Sequence, residues 1–128
     1  MRLLLDTHAL LWWLYDDDRL SLRAREVIAV PTHVVYVSSA SAWEMATKYR
    51  IGKLPEAEGL LTDLGKYLRA GRMTELPVSV AHALRAGSLP GPHRDPFDRM
   101  LIAQAQLEQL TVVTTDPVFA QYGAPVAW

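Results

Sequence analysis

The sequence predicts an α/β fold with a parallel sheet, and two observations carry this prediction. Short runs rich in valine and leucine at residues 2–5, 34–37 and 111–114 have the length and composition of buried strands. The segments between them are longer and repeat apolar residues at helical spacing, as the leucines of residues 57–70 do. Strands that alternate with helices in this way are typical of proteins in which helices cover a parallel sheet.

Seven helices follow from apolar spacing and from residues that begin or end helices. They cover residues 7–15, 21–30, 38–50, 57–70, 80–86, 97–109 and a short segment after Pro117. Ser21 and Asp95 can accept a free backbone N–H at a helix N-terminus, and Pro96 suits the first helical position. Pro31 and Gly71 mark helix ends. Two weaker strands are predicted at 74–76 and 125–127.

The composition fits one domain that spans residues 1–128. Half of the residues are hydrophobic, which is enough for a real core, and the formal net charge is −1. That balance argues against a strongly basic nucleic-acid binder, although it leaves room for a local basic rim around an acidic site. The absence of cysteine excludes disulfides and thiolate metal sites and suits a reducing cytoplasm. No stretch reaches the roughly 18 apolar residues of a membrane span, so no membrane association is expected.

Four carboxylates lie where an apolar segment gives way to a helix, or on the first turns of a helix: Asp6, Glu44, Asp98 and Asp116. The ends of parallel strands converge on one edge of a sheet, and ligands bind there. Acids from four separate parts of the chain could therefore meet in one pocket. Clustered carboxylates repel one another unless a cation is present, and hard oxygen ligands suit Mg²⁺ or Mn²⁺. The pattern predicts a divalent-metal site, whose commonest use is phosphoryl chemistry.

Each of these acids also has a purely structural explanation. Asp6 and Asp116 can each cap the helix that follows. Asp98 lies near a helix N-terminus, where an acid contributes up to about 1 kcal/mol. Glu44 lies inside its helix and could be a solvated side chain that pairs with Lys48 one turn later. Only the joint occurrence of the four favours a site.

Several cations lie close in sequence to Glu44 or Asp98. They are Lys48, Arg50, Lys53, Arg94 and Arg99. Such side chains could contact phosphates on either side of a scissile bond, or they could simply be solvated surface residues. None of the four histidines has the spacing of a metal-binding pair. The adjacent Trp12 and Trp13 point to different faces of a helix, so we expect one in the core and the other at an interface.

Four segments, in chain order, resemble the motifs of PIN-domain ribonucleases. Residues 4–12 (LLDTHALLW) are similar to the opening of these proteins, and 38–44 (SSASAWE), extended by 49–54 (YRIGKL), to the second acidic motif. Residues 93–105 (HRDPFDRMLIAQA) resemble the third motif and 114–116 (TTD) the fourth. Within the family, the sequence looks most like VapC-type toxins of bacterial toxin–antitoxin pairs. Any single motif is a weak signal, whereas four in order across essentially the whole chain are a strong one.

The resemblance implies a three-layer α/β/α sandwich around a central parallel sheet. It also implies a Mg²⁺- or Mn²⁺-dependent endoribonuclease that acts on RNA in the cytoplasm. A cognate antitoxin protein would bind across the site, and homodimers and toxin–antitoxin hetero-oligomers are expected. The site residues that carry over are Asp6, Glu44, Asp98 and Asp116. Thr7 and Thr115 match polar positions beside family acids, and Asp95 is an extra acid of the third motif.

In the mechanism expected for such a site, Asp6 and Asp98 hold one metal ion, with Asp116 as a further candidate ligand. Glu44 either holds a second ion or positions water as a base. A metal lowers the pKa of bound water and neutralises charge that builds on the phosphate. In-line attack on phosphorus would leave a 5′-phosphate and a 3′-hydroxyl. One metal ion and two are both compatible with the sequence.

Other α/β proteins with acids at strand ends fit the sequence less well. A receiver-like domain needs an acid pair after the first strand, and Asp6 is followed by Thr7. A haloacid-dehalogenase-like phosphatase needs a second acid two residues on, where His8 stands. A dinucleotide-binding domain needs a glycine-rich turn at the same place. The remaining alternative is a PIN-like module that docks a partner and has little or no catalytic activity.

Overall fold

The structure, a computed structural model of all 128 residues, contains a sheet of five parallel strands. The strands are β1 (Arg2–Leu5), β2 (Val34–Ser38), β3 (Thr74–Leu76), β4 (Thr111–Val113) and β5 (Val126–Ala127). Their spatial order is β3-β2-β1-β4-β5, and every neighbouring pair is parallel. The predicted α/β fold with a parallel sheet is therefore confirmed, including its two short strands.

Eight α-helices connect the strands. They are α1 (Thr7–Leu14), α2 (Leu22–Ala29), α3 (Ser39–Arg50), α4 (Glu58–Leu61), α5 (Leu64–Ala70), α6 (Val80–Ser88), α7 (Pro96–Glu108) and α8 (Val118–Gln121), with a 3-10 turn at Pro55–Ala57. Ser21 and Asp95 cap α2 and α7 as predicted, because their side chains accept the N–H groups of Ala24 at 3.0 Å and Phe97 at 2.9 Å. No helix combines the length and the hydrophobicity needed to cross a membrane.

The sheet is buried on both faces, and helices form a layer on each side of it. Leu3 and Leu5 of β1 belong to a cluster of 19 buried residues that includes residues of α1 and α2. Leu4 points to the opposite face, because side chains alternate along a strand, and belongs to a cluster of 10 buried residues with α7 and α8. Strands covered on both faces consist of continuous apolar runs, as β1 does. The three-layer α/β/α sandwich is confirmed.

The chain departs from the predicted elements within residues 57–70, where the leucine spacing predicts one helix. It forms α4, leaves the helical conformation near Asp63, and begins again as α5. Asp63 has φ −152° and ψ 62°, and its side chain accepts the Lys66 N–H at 3.3 Å. The prediction of one continuous helix is wrong because an aspartate that caps a new helix interrupts the backbone without disturbing the apolar spacing. Leu60 and Leu68, on either side of the break, are both buried.

The order of the strands places a crevice at one edge of the sheet. β2 and β3 lie on one side of β1, and β4 and β5 lie on the other. In open sheets, ligands bind outside the carboxyl ends of the strands at the point where the strand order reverses. Here that point is the end of β1, which Asp6 follows directly, while α3 begins at the end of β2 and Thr114 follows β4. The fold thus directs three predicted motifs to the same edge.

Candidate functional site

The four predicted acids line one cavity of about 370 Å³ at the C-terminal edge of the sheet. Asp6 comes from the end of β1, Glu44 from α3, Asp98 from the first turn of α7, and Asp116 from the loop after β4. Asp95 and Lys48 line the same cavity, as do Thr7 and Thr115. The structure therefore brings together residues that are up to 110 positions apart in the chain.

Asp6 caps α1 and forms part of the cavity wall at the same time. Its Oδ1 accepts the Ala9 N–H at 2.7 Å, and its Oδ2 accepts the hydroxyl of Thr114. The residue is only 7% exposed. Burial raises the pKa of Asp6 above its ordinary value, and the hydrogen bonds from Thr114 and Ala9 oppose that rise. Asp6 therefore caps α1 and lines the cavity with the same carboxylate.

Glu44 is buried, so it is not the solvated helical side chain of its purely structural explanation. The residue is 4% exposed. The Thr7 hydroxyl donates to its Oε1 at 2.6 Å and lies 3.1 Å from the Ser41 hydroxyl. The Lys48 ammonium group contacts Oε2, so the expected pair one helical turn apart does form. The alternative of a solvated side chain is therefore wrong, because α3 turns this side chain into the cavity.

Asp98 lies in the first turn of α7, but a different residue caps that helix. Asp95 Oδ1 accepts two backbone N–H groups of the first turn, at 2.9 and 3.1 Å. His93 Nε2 lies 3.0 Å from Asp98 Oδ2. Burial is the main cause that raises the pKa of Asp98 to about 6, and the negative charges of Asp95, Glu44 and Asp116 add to the rise. The charges of the four motifs thus act on one another in the cavity.

Thr114 connects the loop after β4 to the first acid of the site. Its hydroxyl donates to Asp6 and accepts the Asp116 N–H at 3.0 Å. Asp116 Oδ1 accepts the Val118 N–H at 3.0 Å, so its side chain does cap the start of α8. The N-cap position itself belongs to Pro117, one residue later than the sequence predicts. Asp116 is the most exposed of the four acids, in a loop where it can reach solvent.

Three residues that hold the acids in place have no distinct signal in the sequence. Thr114 orients Asp6, His93 contacts Asp98, and Ser41 lies against the hydroxyl that donates to Glu44. Thr114 comes nearest to a signal, because it directly follows an apolar strand and its fully buried hydroxyl needs a partner. The contact of His93 runs through a loop, where no periodicity indicates which side chain meets which.

The donor set of the cavity fits a hard divalent cation, although its carboxylates do not surround a common point. No three His, Asp or Glu side chains are arranged so that they could hold one metal ion as they stand. The hydrogen bonds to Asp98 and Asp116 engage Oδ2 of the first and Oδ1 of the second, which leaves the other oxygen of each side chain available. Carboxylate oxygens are the ligands that Mg²⁺ and Mn²⁺ prefer. Side-chain rotations would be needed to gather them around an ion.

Comparisons with known proteins show the family and the fold. A family model described as the PIN domain matches residues 3–125. No curated protein matches the sequence. Similar solved structures include VapBC2 from Rickettsia felis bound to a promoter DNA fragment, with a TM-score of 0.70 and 19% identity over 98% of this chain and 96% of that one. Two others are the Sarcin-Ricin-loop-cleaving toxin VapC20 from Mycobacterium tuberculosis (0.68, 14%, 95% of each chain) and FitAcB from Neisseria gonorrhoeae (0.64, 20%, 97% and 95%). At these identities the likeness concerns the fold.

Proposed function

Because the chain belongs to the PIN-domain family, we propose that it is a Mg²⁺- or Mn²⁺-dependent endoribonuclease and the toxin of a toxin–antitoxin pair. The observation that carries the proposal is the meeting of four acids from separate motifs in one cavity: Asp6, Glu44, Asp98 and Asp116. A site of this kind is typical of metal-assisted hydrolysis of phosphodiesters. One of the structurally similar proteins is a Sarcin-Ricin-loop-cleaving toxin, which supports RNA as the substrate class.

In this proposal Asp6, Asp98 and Asp116 hold the metal ion, and Glu44 holds a second ion or positions water. When bound, a divalent ion supplies hydroxide from water at neutral pH and offsets charge on the phosphate oxygens. The chain's own residues fix the acids for this task. Thr114 holds Asp6 from the side of β4. Attack in line with the leaving oxygen would give a 5′-phosphate and a 3′-hydroxyl.

The test is incubation of the purified protein with total RNA in the presence of Mn²⁺ or of EDTA, followed by mapping of the RNA ends. We expect cleavage with Mn²⁺, none with EDTA, and 5′-phosphate ends. Asp18→Asn is a matched control, because Asp18 is an exposed acid outside the cavity. Cleavage that survives EDTA, or that Asp98→Asn leaves unchanged, would contradict the proposal.

The proposed partner is an antitoxin peptide that lies along α1 and reaches the acids. A second cavity of about 470 Å³, lined by Leu11, Tyr15 and Lys53 among others, adjoins the acidic cavity and shares His8 and Trp12 with it. A cationic residue of the peptide would sit among the carboxylates and exclude the metal. One of the similar structures is VapBC2 bound to a fragment of promoter DNA, which supports a toxin–antitoxin assembly for this chain. Co-expression with the product of the adjacent reading frame should restore growth, and killing that continues undiminished would count against the partner.

Homodimers, toxin–antitoxin hetero-oligomers and a cytoplasmic location complete the proposal, since RNA and the antitoxin would both be met there. Light scattering of the purified chain tests the dimer. One observation favours a second candidate, a docking module without activity: the acids do not stand ready around one point. Titration with Mn²⁺ separates the two, because a docking module has no reason to bind the ion in the acidic cavity.

A further inference from the structure

The two halves of the acidic cavity differ in how their carboxylates are engaged. Both oxygens of Glu44 have donors: the Thr7 hydroxyl lies 2.6 Å from Oε1, and the Lys48 ammonium group contacts Oε2. Asp98 and Asp116 each keep one carboxylate oxygen outside these hydrogen bonds. A cation therefore already stands at one end of the cavity, while the other end has unengaged oxygens.

Lys48 is placed as a cation of the site and not only as a partner of its own helix. It lines the acidic cavity together with the four acids and Asp95. Its ammonium group contacts Glu44 of α3, and the carboxylates of Asp95 and Asp98 at the start of α7 line the same cavity.

A second divalent ion at Glu44 would have to displace this ammonium group. Glu44 is 4% exposed, so its charge has little access to water and depends on the donors that contact it. Two-metal sites place their ions about 3.5–4 Å apart, with both ions near the scissile phosphate. An ammonium group fixed at Glu44 provides positive charge in that region without a second ion, and lysine binds phosphate as a point charge.

We propose that the Lys48 ammonium group takes the place of a second divalent ion, so that the chain loads a single ion and supplies the other positive charge itself. This inference rests on the proposed function for the identity of the substrate, but not for the count of ions. The lysine would then face a phosphate of the RNA backbone while Glu44, itself fixed by Thr7, holds it in position. An ion pair that merely stabilises α3 would have no effect on the number of bound ions.

The experiment counts bound Mn²⁺ without RNA, from the electron paramagnetic resonance signal of free Mn²⁺ and from calorimetry. We expect one ion per chain for the wild type and for Lys48→Arg, which keeps the charge. Lys48→Met removes the charge and opens Glu44 Oε2, so it should bind two. Lys66→Met is the matched control, because Lys66 is exposed on α5 outside the cavity, and it should bind one.

Activity provides a second readout that tests the same substitution differently. At Mn²⁺ concentrations that fill only the first site, Lys48→Met should cleave RNA at least tenfold more slowly than the wild type. High Mn²⁺ should restore much of that loss, because the second ion then occupies the place of the lysine. The dependence of the rate on Mn²⁺ should change from one ion to two.

Each outcome separates this inference from the proposed function. Two ions in the wild type, or one ion in a folded Lys48→Met protein, overturns the role of Lys48 and leaves the ribonuclease proposal standing. One ion in the wild type and two in Lys48→Met supports the inference even if no RNA is cleaved. Thermal unfolding checks that the variants fold. If Lys48→Met does not fold, Lys48→Gln replaces it, and a wild-type count of two still contradicts the inference.

Discussion

The N-terminal ends of α1 and α7 both bring an acid into the cavity, and they do so in different ways. At α1 the acid in the site is also the cap, because Asp6 accepts the Ala9 N–H at 2.7 Å. At α7 the two tasks are divided: Asp95 accepts the backbone N–H groups, and Asp98 faces the cavity. Asp6 is 7% exposed, whereas Asp98 is half-buried and contacts a histidine from a loop.

The difference indicates how tightly each acid is tied to the fold. A carboxylate that caps a helix from a buried position cannot move without exposing a backbone N–H group, so Asp6 is fixed before any ligand arrives. Asp98 has no backbone group to satisfy and is held only by His93, so it is free to adjust to an ion. The Asp6 side of the cavity is therefore the rigid one, and the Asp98 side is the adaptable one.

The largest expected effect is the loss of cleavage in Asp6→Asn and in Asp98→Asn. Each substitution removes the charge of a proposed ligand while keeping the size of the side chain, and we expect RNA cleavage with Mn²⁺ to fall at least about 100-fold in both. Both variants should fold, because asparagine can cap α1 as aspartate does and Asp98 caps no helix. Initial rates on total RNA check this. A variant that cleaves at the wild-type rate would show that its residue is not part of the machinery.

The sequence predicts the acids of this comparison well but not what holds them. Asp6 and Asp98 belong to motifs that can be found by local reading, since each follows a strand or begins a helix. The hydrogen bond from Thr114 to Asp6 joins residues 108 positions apart and forms only because β1 and β4 are neighbours. The break at Asp63 was equally hidden, because a cap within an apolar repeat leaves the repeat unchanged. Local patterns can be read from the sequence, whereas contacts that depend on which strands are neighbours in the sheet cannot.

The second prediction concerns the adaptable side of the cavity. His93→Ala removes the group that fixes Asp98 Oδ2, and we expect Mn²⁺ affinity to fall about tenfold, as happens when an outer partner of a ligand is lost. Calorimetric titration measures it. His93→Gln retains an N–H donor at a similar reach and should recover part of the affinity. Arg94→Ala, at the exposed neighbouring position, should leave it unchanged. Equal losses in the alanine and glutamine variants would point to a loop defect instead.

The third prediction follows from the pKa of Asp98, raised from 3.8 to about 6. The folded protein keeps this proton at a higher pH than the unfolded chain does, so the contribution of Asp98 to stability is fully present below about pH 4 and is lost as pH rises to 6. After allowance for solvent screening, the loss is roughly 1–2 kcal/mol. Urea denaturation of the metal-free protein at pH 4 and pH 7 measures it. Asp98→Asn should remove this part of the pH dependence, and an identical pH profile in the variant would place the titration elsewhere.

The smallest expected effect compares α7, where one aspartate caps the helix and another serves the site, with α1, where Asp6 does both. Asp95→Ala should lower the free energy of unfolding by about 1 kcal/mol, because two N–H groups of the first turn lose their acceptor. Asp95→Asn should change it by no more than a few tenths of a kcal/mol, since the amide oxygen can replace the carboxylate oxygen. Asp6→Asn should be neutral or slightly stabilising, because it keeps the cap and removes a buried charge whose pKa burial has raised. Urea denaturation at pH 7 without metal compares the three. If Asp6→Asn proved as costly as Asp95→Ala, the charge of Asp6 would be stabilised by its donors, and α1 would need the carboxylate itself as its cap.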